Sequence, residues 1–402
     1  MSAATTQEVG PAGVTALFRR SYDRAPEGVF SSPGRVNLIG EHTDYTGGLV
    51  LPFAIDARAY VAAARIDEPV VRLVAGQRPG SVREFALADL APGGPGAGEW
   101  TGYLLGAVWA AARAGIRPGG LALALDSGVP SGAGLSSSAA LECATVLAVA
   151  SLAGVQLPVT EIARLALRAE NDFVGVPCGP MDQMASAASQ EGSVLRFDTS
   201  DGSIAHIPFD PDARGLTVLA IDTRVSHSLG DGEYARRRAS VERAAEILGL
   251  RWLRDLPSPD LDAALVVLGG QDGHDGGDGD VLARRTRHVV TENARVEATV
   301  ELLESGDIAG IGPLLTASHV SLRDDFAVSS VELDVAVDAA LAAGALGARM
   351  VGGGFGGSAL ALVEADHADR VRDAVLAAFG AHGFTAPVIR AVLPAQGARV
   401  ES

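Results

Sequence analysis

The 402-residue sequence contains no lysine: all 32 of its Lys and Arg positions are arginine. That absence excludes a Walker A loop and a protein-kinase-type nucleotide site, because each depends on a Lys at the phosphates. A phosphate site in this chain has to use backbone N–H groups, arginine and a metal ion. Cysteine is scarce as well. Cys143 and Cys178 are too few for a disulfide scaffold or a four-ligand zinc site, and they read as two reduced, buried thiols. No apolar run approaches the roughly 18 residues a membrane span needs. The start, Met1 to Gly13, has no basic patch and no apolar h-region, so no secretory signal is read there and a cytoplasmic location is expected. Positive charge is in deficit, with a formal net charge of −17. This argues against nucleic acid or an anionic membrane as partner and leaves small molecules. A nucleotide is still possible, since it needs only local positive groups.

What is present is apolar: 48% of the residues, over a length that suits two domains. Helices are expected at 14–24, 101–115, 139–153, 158–173 and near 180–189, then at 232–249, 281–304, 313–323, 331–343 and 366–379. Strands are expected near 29–39, 57–66, 70–75, 82–86, 121–126, 193–198, 216–222, 348–351, 358–363 and 387–393. This mixture reads as two α+β halves without a regular βαβ repeat. Gly269 to Asp280, GGQDGHDGGDGD, is low-complexity. Its acids could hold calcium, but the spacing and closing Glu of an EF-hand are missing, and a surface loop is the better reading.

Three segments carry candidate chemistry. Residues 130–140, PSGAGLSSSAA, place glycines that let backbone approach a phosphate, followed by serines that open an apolar helix. The same pattern also fits a plain Gly/Ser loop with a serine helix cap. Residues 33–48 end a strand-like run in Glu41, His42 and Asp44, followed by a glycine pair. Three polar side chains in four residues suit recognition of several hydroxyls, and they equally suit a polar turn. Asp182 lies among apolar and small residues. It is either an exposed helix-start acid or a buried carboxylate in need of a partner, for which Arg35 is a candidate. The run Gly352–Gly357 matches G-x-G-x-x-G, but a strand-like stretch, Ala359–Val363, comes after it where a dinucleotide fold needs a helix. The oxidoreductase reading is therefore rejected.

Taken together and in order, Gly34–Gly48, Pro130–Ala140 and Gly352–Gly357 resemble the three motifs of the GHMP kinases. GRVNLIGEHTDYTGG is similar to the galactokinase signature, and so are the stretches 169–183, 232–238, 287–296 and 318–326. The resemblance covers most of residues 29–365. It implies an α+β fold of two domains, the first like ribosomal S5 domain 2 and the second ferredoxin-like, with the active site in the cleft between them. Residues 1–205 would be the sugar- and phosphate-binding domain and 206–402 the C-terminal kinase domain.

The implied activity is transfer of the ATP γ-phosphoryl group to the C1 hydroxyl of α-D-galactose. Asp182 matches the catalytic carboxylate. Arg35 matches the arginine beside it, which stabilises charge building on the phosphoryl group. Glu41, His42 and Asp44, with Gly179 and Tyr234, match the sugar pocket. Gly132, Ala133, Gly134, Leu135, Ser136, Ser137 and Ser138 match the phosphate-binding loop, and Trp100 the lining of the adenine pocket. Ser138 and Glu170 match the ligands of a Mg2+ ion, both being hard oxygen donors. A monomer is expected. Two other readings stay open: a GHMP relative acting on another sugar such as N-acetylgalactosamine, and a non-catalytic galactose- and ATP-binding sensor. The chain departs from the family pattern at Thr46, Pro180, Val351 and Ser358.

Overall fold

The computed structural model describes residues 9–225, 232–270 and 279–402. Most of the Gly/Asp-rich stretch read as a surface loop, residues 271–278, lies outside them.

The first half is built on a largely antiparallel core sheet. Its strands are Gly28–Asn37 (β1), Pro52–Ile66 (β3), Val70–Ala75 (β4), Arg78–Ala86 (β5) and Gly120–Ser127 (β6). A two-residue strand, Arg399–Val400 (β13), closes one edge, giving the order β13-β1-β3-β6-β4-β5, in which only β4 and β6 run parallel. Alternation in β6 shows how its layers form. Leu121, Leu123 and Leu125 join a core with helices Thr101–Arg113 (α2) and Ser137–Leu152 (α3). Ala122 and Ala124 point the other way, and their small side chains admit Val14 and Phe18 of helix Pro11–Tyr22 (α1). Helix α3 is apolar almost all round, and it is buried almost all round.

Helix Val159–Arg168 (α4) runs into a π-helical turn, Ala169–Val174, and Met181–Ala188 (α5) comes next. A small sheet of Leu49–Val50 (β2), Ser193–Asp198 (β7) and Ile204–Pro208 (β8) completes this half.

The second half carries a four-stranded antiparallel sheet, ordered β10-β11-β9-β12. Its strands are Leu216–Asp222 (β9), Gly347–Val351 (β10), Ser358–Glu364 (β11) and Val388–Val392 (β12). The helices are Glu233–Ile247 (α6), Leu261–Gly269 (α7), Gly279–Glu304 (α8), Gly312–Asp324 (α9), Val331–Ala342 (α10) and Ala368–His382 (α11). The sheet is buried on both faces. Leu219 and Ile221 pack under α10 and α11, while Val218 and Ala220 join Val36, Phe53 and Ile55 of the first half. One shared core therefore holds the halves together and fixes the cleft.

Among the described residues, four strands and α-helices escape the sequence reading: β2, β8, α7 and β13. Two of them are two-residue pairings that exist because a partner strand lies alongside. No helix among the described residues is long and apolar enough to cross a membrane.

Candidate active site

Arg35 sits near the end of β1, just past a shift in its register with β3 between Pro33 and Arg35. Such an irregularity re-aims the neighbouring side chain. Gly34 is needed for a second reason. A Cβ there would lie 2.7 Å from the Leu135 carbonyl, so only glycine lets the loop before α3 dock on the strand. The Arg35 N–H then donates to that carbonyl at 3.1 Å.

The Arg35 guanidinium is buried and joins two motifs. Its Nε and Nη2 lie 2.8 and 2.7 Å from Asp182 Oδ1, and its Nη1 donates to the Gly134 carbonyl at 2.6 Å. Asp182 is half-buried in the first turn of α5, and its Oδ2 accepts the Ser136 hydroxyl. Arg35 is thus the partner of Asp182, and the alternative of an unpaired helix-start acid falls away.

Gly132, Gly134 and Ser136 all adopt left-handed backbone, with φ of 79°, 72° and 57°. For serine this costs about 1 kcal/mol or more. Ser136 precedes α3 but makes no side-chain capping bond, because its hydroxyl goes to Asp182 instead. The first-turn N–H groups of α3 and the positive end of its dipole are left for an anion. The loop is held from behind by Ser358 Oγ, which donates to the Ala133 carbonyl at 2.6 Å.

The polar cluster leaves β1 at an irregular loop. Glu41 is buried, accepts the Gly352 N–H at 2.8 Å and lies 3.5 Å from Arg349. Burial pushes its carboxyl up from the usual range, against the pull of Arg349 and Arg35. His42 has a φ of 61°, bonds Tyr45 Oη through Nδ1 at 2.9 Å, and packs near Phe326 and Tyr234 with ring centroids 4.7 and 5.7 Å away. Burial, then the neighbouring His288, lowers its pKa to about 3, so the imidazole is neutral.

Asp44 is pushed up to about 7, first by burial and then by the charges of Asp182 and Glu41. Its carboxylate lies against Gly179, where a Cβ would overlap it, the farther oxygen being only 2.9 Å away.

Glu170 sits on the π-helical turn, a distortion that recurs at functional sites. It accepts Gln183 Nε2 at 2.5 Å and reaches the Ser138 hydroxyl. Burial, then the charge of Asp182, raises its pKa to about 7.

Arg35, Glu41, His42, Asp44, Gly132, Gly134, Leu135, Ser136, Ser137, Ser138, Glu170, Gly179, Asp182 and Tyr234 line one cavity of about 380 Å³. Two expected residues do not. Ala133 lies behind the loop, and Trp100 packs against the core of the first half. Tyr103, one turn into α2, lines the cavity where Trp100 does not. Sequence reasoning also missed Cys178, Met181, Gly352 and Gly353 on the wall. The glycine run was visible, but its service to Glu41 depends on β10 and β11 meeting the end of β1.

The departures have plain places. Thr46 Oγ1 turns inward to the Thr43 carbonyl at 2.9 Å. Pro180 directly precedes α5, and Val351 is buried opposite Ser358.

Residues 16–65 match the family model described as the galactokinase galactose-binding signature. Residues 102–190 match the GHMP kinases N terminal domain, and 299–382 the GHMP kinases C terminal domain. A galactokinase of Streptomyces coelicolor is 51% identical over 382 residues, covering 95% of this chain and 96% of its own. A galactokinase of Mycobacterium tuberculosis is 42% identical, covering 92% and 98%. The crystal structure of Lactococcus lactis galactokinase complexed with galactose superposes with a TM-score of 0.89 at 30% identity, covering 96% and 99%.

Proposed function

The chain belongs to the galactokinase family of the GHMP kinases, and from that membership we propose how its own residues carry the reaction. It is an ATP-dependent sugar kinase that phosphorylates α-D-galactose at the C1 hydroxyl, yielding galactose 1-phosphate and ADP. The C1 oxygen attacks the γ-phosphorus and the bond to the bridging oxygen of ADP breaks. The hydroxyl proton passes to Asp182. Phosphoryl transfer asks for positioning and charge neutralisation rather than covalent chemistry. Arg35 spans Asp182 and the phosphate loop, so it sits where charge builds on the transferred group.

Glu41, neutral His42, Asp44, Gly179 and Tyr234 bind the sugar. The loop 132–138 and the N-terminus of α3 bind the phosphates without a lysine. Ser138 and Glu170 fit a Mg2+ ion. They are adjacent hard oxygen donors, and burial and the charge of Asp182 strain Glu170 toward the protonated form in a way that a nearby cation would relieve. The ion would neutralise phosphate charge there.

The observation that carries this reading is Asp182 held between Arg35 and Ser136 on the floor of the same cavity as Glu41, His42 and Asp44. The proposed division between the two domains, 205/206, falls within β8 of the small sheet, ahead of β9. A monomer is the proposed working unit. The need for ATP supports a cytoplasmic site of action.

The test is a coupled assay of ADP release with MgATP and galactose, run for the parent and Asp182→Asn. Galactose-dependent turnover should fall about 10²- to 10⁴-fold in the variant while galactose binding persists. A folded parent protein that does not turn over galactose would sink the reading.

A further inference from the structure

Two stretches of the second half, 287–296 and 318–326, take no part in the chemistry above, yet both converge on the back of the sugar loop. That loop cannot satisfy its own peptide groups in a ladder, because Gly40 and His42 carry φ of 100° and 61°. Buried peptide groups need partners, and one face of α8 supplies them. His288 Nε2 lies 3.0 Å from the Glu41 carbonyl, and its Nδ1 lies 3.0 Å from Ser321 Oγ. Glu292 Oε1 accepts the Gly40 N–H at 3.0 Å and Ser318 Oγ at 2.6 Å, while Oε2 accepts Arg295 Nε at 2.7 Å. Asn293 Oδ1 accepts the Leu49 N–H at 2.8 Å, and its amide is anchored on the Val289 carbonyl at 2.7 Å. His288 and Glu292 are fully buried. The Phe326 ring lies against both His42 and His288, with centroids 4.7 and 4.6 Å away.

The Glu41 carbonyl belongs to the peptide unit that joins Glu41 to His42. Turning that unit changes ψ of the first and φ of the second, and so redirects both side chains at once. We propose that His288, backed by Glu292 and Asn293, is a positioning residue for galactose, holding the Glu41–His42 peptide in the one orientation that aims both side chains into the sugar pocket. This rests on the reading of Glu41 and His42 as sugar ligands. It assigns the α8 motif a share in sugar affinity although none of its residues lines the cavity.

The experiment compares the parent protein with His288→Leu and His288→Gln. The measurements are KM for galactose, KM for ATP, kcat, and galactose affinity by calorimetry without ATP. In His288→Leu, KM and Kd for galactose should rise about tenfold, the worth of one buried hydrogen bond, with KM for ATP within twofold. Glutamine can still donate to the Glu41 carbonyl and should recover most of the loss. If His288→Leu does not fold, Asn293→Ser, too short to reach the Leu49 N–H, carries the same expectation of a selective rise for galactose. Unchanged galactose constants in folded variants, or galactose and ATP constants rising together, would overturn the proposal. A parent protein that neither binds nor turns over galactose would remove its premise as well, so the two failures are distinguishable.

Discussion

Gly179→Ala is a small change with a calculable consequence. A Cβ at this position would overlap the Asp44 carboxylate, with Cγ and both oxygens inside normal contact distance and even the farther oxygen at 2.9 Å. Ordinary contact begins near 3.4 Å, so the carboxylate must move by at least half an ångström and its nearer oxygen by more. The backbone has no objection, because Gly179 is not among the residues with positive φ. Alanine also reduces unfolded-state entropy, worth about 0.4–1 kcal/mol in its favour. The cost therefore falls on Asp44 and its contact with the sugar. A hydrogen bond from a hydroxyl to a carboxylate is worth about 1.5–3 kcal/mol. At about 1.4 kcal/mol per tenfold, kcat/KM for galactose should fall about 10- to 150-fold. KM for ATP should stay within twofold, and the thermal midpoint should move by only a few degrees. Steady-state kinetics with each substrate varied in turn reads this directly. Adding Gly179→Ala to Asp44→Ala should cost little more than Asp44→Ala alone, because both remove the same contact. An unchanged kcat/KM for galactose in the glycine variant, or full additivity in the double variant, would refute the argument.

The electrostatics of the site lead to other expected outcomes. The Asp44 carboxyl is raised from 3.8 to about 7, so it loses its charge as pH falls below about 7. The kcat/KM for galactose should then be flat above that value and fall by up to tenfold per pH unit below it, and Asp44→Asn should remove this limb. Stability runs the other way. The folded ligand-free protein holds this proton more tightly than the unfolded chain, so Asp44 lowers stability as pH rises from about 4 to about 7. Thermal unfolding of the parent and Asp44→Asn across that window would report the difference. Glu170→Gln keeps the shape but removes a charged oxygen donor. It should raise the Mg2+ concentration needed for half-maximal rate about tenfold or more, while galactose affinity without ATP is unchanged; an unaltered Mg2+ titration would count against Glu170 as a ligand.

Much of the chemistry is legible in the residues themselves. A chain without lysine has to meet phosphate with glycine-freed backbone, a helix N-terminus and arginine; the loop 130–138 brings the first two to the cavity and Arg35 of β1 the third. Periodicity locates the central strands and the long helices, because their apolar faces repeat locally; β7 and β9 fall on the expected residues. The strand-like residues after the run 352–357 separate it from a dinucleotide site, and the run is the turn between β10 and β11.

The remainder depended on packing. Arg35 and Asp182 stand 147 residues apart, and nothing local to either says that a bulge in β1 and the start of α5 will meet. Ser136 looked equally able to cap its helix, and the arrival of Asp182 decided the matter. Trp100 and Tyr103 share the start of α2, and only the rotation of that helix on its sheet chose which of them faces the cavity. The pairings of β2 and β13 have too few residues to carry a signal of their own. The grip of α8 on the sugar loop was hidden for the same reason. Its hydrogen bonds end on backbone N–H and C=O groups, which every sequence possesses, so only the meeting of the two elements in space could reveal which of those groups would be held.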